Sequence, residues 1–419
     1  MMVRAAIGSI AARIAVAVSN LVLFAVAGHR IGIEGLGTIG LIVLGITLAV
    51  LLGNVVCGAA LTYLASRVPR KALLWRAYVW AFGSSLLAYG AIHLLGIVPA
   101  PYVPHVAGLS LITVLFTTHT GLLVGHQRIK AFNWIAILQS VVLLLVFIAL
   151  TQQPGDRDAM AYVRAGYAAG GITLLASVVV LFRVADVSEG AVDAPVWPRL
   201  FKHGGFTQLA NALQLLTYRC SYWFIDRITG TGSLGVYTVG TQVAESAWLA
   251  PRGLATVLYG KLSNTSDLQQ QRAVTITILK AAVAFALLTL CVLLLLPESV
   301  YRLVFGPEVT GIPFIILYMA PGIAAMAASQ ALGMFFSGTG RNQHNAIGSG
   351  IALAITLLVG ALLIPEKHLH GAAVTASLAY TANTVYQASV FLRITGARWR
   401  HMLPHAGDVR DVIALLKRR

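Results

Sequence analysis

Five charged side chains lie well inside long apolar stretches of this sequence: Arg13, Arg219, Glu245, Arg252 and Lys280. A charge in hydrocarbon costs about 3 kcal/mol or more, so such residues face a partner or water, or snorkel to an interface. The planar fork of a guanidinium suits phosphate or carboxylate oxygens, which makes Arg13, Arg219, Arg252 and Lys280 candidates for binding an anionic substrate. Arg219 lies about 7 residues, roughly 10 Å, from the outer end of its run, with Asp226 as a candidate structural partner. Arg13 is about as far from the cytoplasmic end of the first run, where snorkelling is its alternative role. Arg252 follows Pro251, which frees a backbone carbonyl and can kink a helix, or it is an interfacial cation. Lys280 sits some two turns into its run and can also snorkel. Glu245 is the one carboxylate well inside a run, and it precedes Arg252 by two helical turns. It suits a coupling proton or sodium ion, or it neutralises Arg252 or Arg219.

The elements that carry these residues must be membrane helices. Of the 419 residues 58% are hydrophobic and 11% charged, against about 45–50% and about 25% in an average soluble domain. Too few polar residues remain to cover a soluble surface. That excludes a soluble enzyme, a disordered chain and a nucleic-acid binder, despite the net charge of +16. Apolar runs fall at 6–28, 38–64, 73–96, 106–125, 131–150 and 161–182, and again at 206–226, 233–256, 273–296, 312–337, 345–364 and 371–392. The first run is too long for a cleaved signal segment and reads as a retained span. The expected fold is an all-α polytopic membrane protein of about twelve transmembrane helices.

Charge sets the orientation. With the N-terminus inside, about 20 Lys and Arg fall on the cytoplasmic face and about 6 on the other, which predicts that both termini are cytoplasmic. The excess charge then meets anionic lipid head groups. The halves also repeat. Gly32–Gly37 and Gly230–Gly235 both fit Gly-x-x-x-Leu-Gly, and Gly125-His126-Gln127-Arg128 parallels Gly338-Thr339-Gly340-Arg341. Six spans per half imply two parallel lobes around a central cavity. The expected organisation is a six-helix lobe at 1–190, a cytoplasmic connection at 191–205, a second lobe at 206–392 and a basic tail at 393–419. Within that tail Asp408–Leu416 reads as a short amphipathic surface helix.

Other patterns carry less. Gly35-Leu-Gly37-Thr-Ile-Gly40 and Gly230-Thr-Gly232-Ser-Leu-Gly235 fit G-x-G-x-x-G, but no strand precedes either, so no nucleotide site is expected. Cys57, Cys220 and Cys291 read as small buried hydrophobes. His119 reads as a hydrogen-bonded core histidine, and Glu366, His368 and His370 as an outer loop rather than a metal site. Trp75, Tyr102, Tyr301 and Trp399 read as interfacial anchors. No cofactor, metal or catalytic group is expected.

Tyr218-Arg219, Leu234-Gly235-Val236-Tyr237, the stretch Ala244–Pro251 with Val257-Leu258, Gly32–Gly37 and Gly338–Arg341 together resemble the lipid-linked oligosaccharide and polysaccharide flippases of the multidrug/oligosaccharidyl-lipid/polysaccharide exporter superfamily. Members carry an acidic residue two positions beyond the arginine at Arg219, where this chain has Ser221. The resemblance implies a bacterial inner-membrane flippase, not an enzyme. It would move undecaprenyl-diphosphate-linked oligosaccharide by alternating access, driven by a proton or sodium gradient and working beside polysaccharide assembly proteins. The competing functions are a cation-coupled multidrug exporter of the same superfamily and a membrane polysaccharide polymerase or ligase. Four intramembrane cations against one deep carboxylate favour an anionic substrate over a cationic drug. The outer connections are short and hold no paired carboxylates, which disfavours the enzyme.

Overall fold

The computed structural model describes residues 2–65, 67–152, 155, 157–184, 195–262 and 267–402. Residues 185–194 of the expected connection and the expected surface helix Asp408–Leu416 lie outside these. The described residues form helices, with no strand among them. The chain divides into two compact units, Met1–Ala212 and Leu213–Arg419.

In the first unit, α1 spans Met2–Cys57 and α2 Ala59–Leu64, followed by α3 (Arg70–Leu95), α4 (Val103–Gly125), α5 (Ile129–Leu150) and α6 (Ala159–Phe182). Helix α1 covers two apolar runs that break at Gly32 alone (φ 70°, ψ −174°). Glycine has no Cβ to penalise that left-handed backbone. Helix α4 packs against α1, α2, α3 and α6, and Val114, Leu122 and Leu123 on it are buried. Two arginines close helix ends here. Arg30 donates to the Ile148 carbonyl (2.6 Å) and to Thr151 Oγ1 (2.8 Å) at the end of α5. Arg70 donates to the carbonyls of Leu181 (2.8 Å) and Val184 (3.0 Å) at the end of α6. A cation suits that end of the helix dipole.

Helix α7 (Val196–Thr229) contains the division between the units and starts ten residues before its apolar run. In the second unit α8 (Thr231–Glu245), a 3-10 turn (Ser246–Trp248) and α9 (Leu249–Leu262) follow. Then come α10 (Leu268–Leu295), the short α11 (Glu298–Phe305), α12 (Ile312–Gly338) and α13 (Gln343–Thr395). Helix α12 is the hub here, packed on α8, α9, α10 and α13. Helix α13 joins the last two runs through a single non-helical residue, His368 (φ 51°, ψ −126°). The expected outer loop is thus reduced to a break at His368, with Glu366 and His370 in the helical segments on either side, and His370 packs edge-on to the rings of Phe314 and Tyr318. Helix α11 was not anticipated as a separate element.

The burial pattern suits lipid rather than water. Large apolar side chains such as Leu94 (86%), Leu295 (77%) and Leu362 (70%) are exposed, while Ser110, Thr118, Thr173 and Thr375 are buried. Each of these hydroxyls donates to a carbonyl one turn back in its own helix, which satisfies it without water. Eight helices among the described residues are long and apolar enough to cross a membrane. With α1 and α13 each covering two runs, they account for ten of the twelve expected runs. Helix α7 and the α8–α9 stretch are not among the eight. The chain is a multi-pass membrane protein.

The sequence repeat has a backbone counterpart. Gly230 (φ 89°, ψ 164°) precedes α8 in the conformation that Gly32 has in α1. After the fourth run of each half the turn bonds correspond one for one. Arg128 N–H donates to the Leu123 carbonyl (2.8 Å), and Arg341 N–H to that of Phe336 (2.7 Å). His126 and Thr339 each donate to the carbonyl four residues back, and Gln127 and Gly340 to that three back. Both turns place their third residue at positive φ: Gln127 at 60° and Gly340 at 74°.

Candidate functional site

Helices α7 and α8 and the turn after them bring Arg219 and Glu245 together within the second unit. Arg219 Nη1 donates to Glu245 Oε1 (3.2 Å) and Nη2 to Oε2 (3.0 Å), a two-point fork. The side chains keep 22% and 14% of their exposure, so the pair is neither surface nor sealed core. Nη1 also donates to the Tyr222 hydroxyl (2.8 Å), which lies 2.8 Å from Thr241 Oγ1. Thr241 in turn reaches the Thr238 carbonyl (3.0 Å). Tyr222, one turn beyond Arg219 on α7, bonds the guanidinium directly, and Thr241, one turn before Glu245 on α8, bonds the Tyr222 hydroxyl.

Aromatic rings wall the pair. Tyr218, Trp248 and Tyr380 form a triangle with centroid separations of 5.3–5.7 Å. Trp248 and Tyr380 are fully buried, and the indole N–H of Trp248 donates to the Ile323 carbonyl (3.0 Å). Gln214 donates to the Tyr218 hydroxyl (2.9 Å). The guanidinium of Arg252 lies 5.5 Å from the Trp248 ring centroid, within cation–π range.

Three sequence expectations change. Asp226 is not the partner of Arg219; it accepts from Thr231 Oγ1 (2.8 Å) at the turn before α8, while Glu245 takes the guanidinium. Helix α7 continues past its apolar run to Thr229, so Arg219 stands ten residues, about 15 Å at the helical rise, from the end of its helix. Cys291 is exposed, unlike buried Cys57. Its face of α10 carries the exposed side chains Leu287, Leu288 and Leu295.

The remaining residues are placed as follows. Arg252 is exposed on α9 and Lys280 half-buried on α10, both in the second unit. Arg13 is exposed on α1 in the first unit. Counted from the matching glycines, Arg13 stands 19 residues before Gly32 and Arg219 11 before Gly230, so the two occupy different levels of equivalent helices. His119 is buried in α4, with Nε2 2.5 Å from the Tyr78 hydroxyl and Nδ1 2.8 Å from Ser177 Oγ. Ser177 Oγ donates to the Leu174 carbonyl (2.7 Å), so it accepts from Nδ1–H, and Nε2 accepts from Tyr78. A neutral histidine satisfies every partner. Ser221, where the resembled family carries an acid, is buried against Tyr237.

Sequence reading missed Tyr222, Thr241, Trp248 and Tyr380 as site residues. The first two were detectable as one-turn neighbours of charges. Tyr380 was not, because only tertiary packing brings α13 to α7.

No protein family profile and no curated protein matches the chain. Solved structures do. The lipid II flippase MurJ in an inward closed conformation matches with a TM-score of 0.73 at 14% identity, covering 100% of this chain and 93% of that one. An inward-facing MATE-family multidrug resistance transporter of the MOP superfamily gives a TM-score of 0.69 at 14% identity, covering 90% and 94%. A MOP-superfamily transporter from Pyrococcus furiosus, described as having a binding pocket of reverse polarity, gives 0.66 at 15% identity, covering 94% and 95%. This chain has the fold shared by these transporters.

Proposed function

We propose that the protein is a flippase for an anionic lipid-linked glycan, of the undecaprenyl-diphosphate oligosaccharide class, in a bacterial cytoplasmic membrane with both termini inside. The observation that carries this reading is the charge balance in the helices. Glu245, the one carboxylate well inside the apolar runs, is forked by Arg219, and those runs carry four cations, Arg13, Arg219, Arg252 and Lys280, against it. An organic cation would meet repulsion there; a diphosphate would meet attraction. The lipid-facing apolar surface lets the isoprenoid chain stay in the bilayer while the head group follows the cations. In this reading Arg13, Arg219, Arg252 and Lys280 handle the diphosphate, and Glu245 couples movement to a proton or sodium gradient.

The test is reconstitution into vesicles with a lipid-linked oligosaccharide, a lipid-linked peptidoglycan precursor and a fluorescent organic cation offered separately. Accelerated movement of the oligosaccharide lipid, lost in Arg219→Gln, supports the proposal. Movement of the peptidoglycan precursor alone reassigns the glycan. Efflux of the organic cation alone replaces the reading with a multidrug exporter.

A further inference from the structure

We infer that Glu245 is an internal stand-in for the substrate's phosphate: it fills the Arg219 fork, and an incoming phosphate displaces it. Two carboxylate oxygens accept two parallel guanidinium bonds, an arrangement that two phosphate oxygens reproduce. Exchange of one anion for another never leaves Arg219 uncompensated, whereas simple opening of the pair would. The partial exposure of both side chains gives the competitor access. Tyr222 is a positioning residue in this scheme. Its hydroxyl, shared with Thr241, holds Nη1 from the side away from Glu245, so the fork keeps its aim during the swap.

Displacement of Glu245 then favours uptake of a monovalent cation. As a pair, Arg219 and Glu245 sum to zero. When phosphate takes the fork, the released Glu245 faces the tyrosines at 218 and 222 on α7, Tyr237 on α8 and Tyr380 on α13. Arg252 on α9 adjoins this group, and Lys280 lies on α10, which packs against the 246–248 turn. A free carboxylate beside the newly bound anion is repelled, and a proton or a sodium ion on Glu245 removes that repulsion. Anion binding is thereby tied to uptake of one cation at the same residue. This inference rests on the anionic-substrate reading above.

The test uses the purified full chain in lipid nanodiscs, inorganic pyrophosphate as the probe, and calorimetry across pH and sodium concentration. Binding to the native protein should weaken as pH rises, by up to about tenfold per pH unit, if a proton is the cation. Binding that instead strengthens with sodium identifies sodium. Glu245→Gln keeps the shape and removes the competing charge. It should bind pyrophosphate at least about tenfold tighter and lose the cation dependence. The difference between the two proteins cancels the titration of pyrophosphate itself. Tyr222→Phe should weaken binding while keeping the cation dependence, which a merely structural role would not separate. If Glu245→Gln does not fold, Glu245→Asp replaces it: tighter binding than native with the cation dependence retained supports the exchange, and unchanged binding overturns it. Equal affinity and equal cation dependence in native protein and Glu245→Gln overturn the inference, as does undiminished binding by Arg219→Gln. Vesicle transport of lipid-linked glycan by the native protein keeps the two questions apart. Transport without anion exchange sinks this inference alone, and no transport of any lipid diphosphate sinks the reading beneath it.

Discussion

Helices α1 and α7 open the two six-helix repeats and run to glycines of positive φ, Gly32 and Gly230. On α7, Arg219 is forked to Glu245 and braced by Tyr222; on α1, Arg13 is exposed, with no ion pair among the described residues. The polar interiors differ in the opposite sense. The first unit holds a Tyr78–His119–Ser177 chain in which His119 and Ser177 are buried, and aligning the turns at Arg128 and Arg341 sets Leu332 in the place of His119. One scaffold has therefore been used twice with its charges disposed differently. The backbone fixes where a side chain stands, but the partner chosen from a neighbouring helix decides whether it is structural or available.

The largest effects should come from breaking that asymmetry at the ion pair. Glu245→Ala removes the partner of a partly buried guanidinium and should destabilise the protein by about 2–3 kcal/mol, less than a fully buried pair because both groups keep some contact with solvent. Arg13→Ala should cost no more than about 0.5 kcal/mol, as expected for an exposed side chain. Transport should fall in both variants. Thermal unfolding in detergent, run beside vesicle transport, measures the contrast. Comparable destabilisation by both substitutions would mean that Arg13 has a structural partner too.

Much of this was legible in the sequence because apolar run length is so direct a signal for membrane helices. Twelve runs and the paired glycine turns gave the element order and the internal repeat. The two runs least like ordinary spans, α7 and α8–α9, are the ones that carry Gln214, Arg219, Glu245 and Arg252. Their deficit in apolarity was itself a sign of a polar site. The partner of Arg219 was harder to read. Asp226 is seven residues away on the same helix and Glu245 twenty-six away on the next. Helical periodicity ranks neighbours within a helix but not between helices, and the break at Gly230 brings α8 alongside α7. The polar chain through Ser177 was hidden for the same reason, since α4 and α6 meet only in the folded unit.

A middle-sized effect is expected at His119. His119→Leu copies the second unit's Leu332 into the first and leaves the Tyr78 hydroxyl and Ser177 Oγ without their common partner. Ser177 still has the Leu174 carbonyl, so the loss falls mainly on Tyr78, and about 1–3 kcal/mol of destabilisation should follow. Adding Tyr78→Phe to His119→Leu removes the orphaned hydroxyl and should recover part of that loss. A double variant no more stable than the single one would show that the tyrosine finds another acceptor.

The smallest effect, and the sharpest test of the repeat itself, lies at the turns ending α4 and α12. Gln127 and Gly340 make the same hydrogen bond in the same turn, to the carbonyls of Val124 and Ser337, and both have positive φ. For an L-residue with a side chain that backbone costs about 1–2 kcal/mol, which glycine avoids. Glycine also has more freedom in the unfolded chain, and this offsets part of the benefit. Gln127→Gly should therefore stabilise the first unit by up to about 1 kcal/mol. Gly340→Ala should destabilise the second by about the same amount, by conformation alone, since no atom lies within 4 Å of the Cβ it would add. Opposite shifts in the thermal midpoint would show that the two turns are one solution with different residues. Shifts of the same sign would mean that Gln127 holds its turn through side-chain contacts, and that the repeat ends at the backbone.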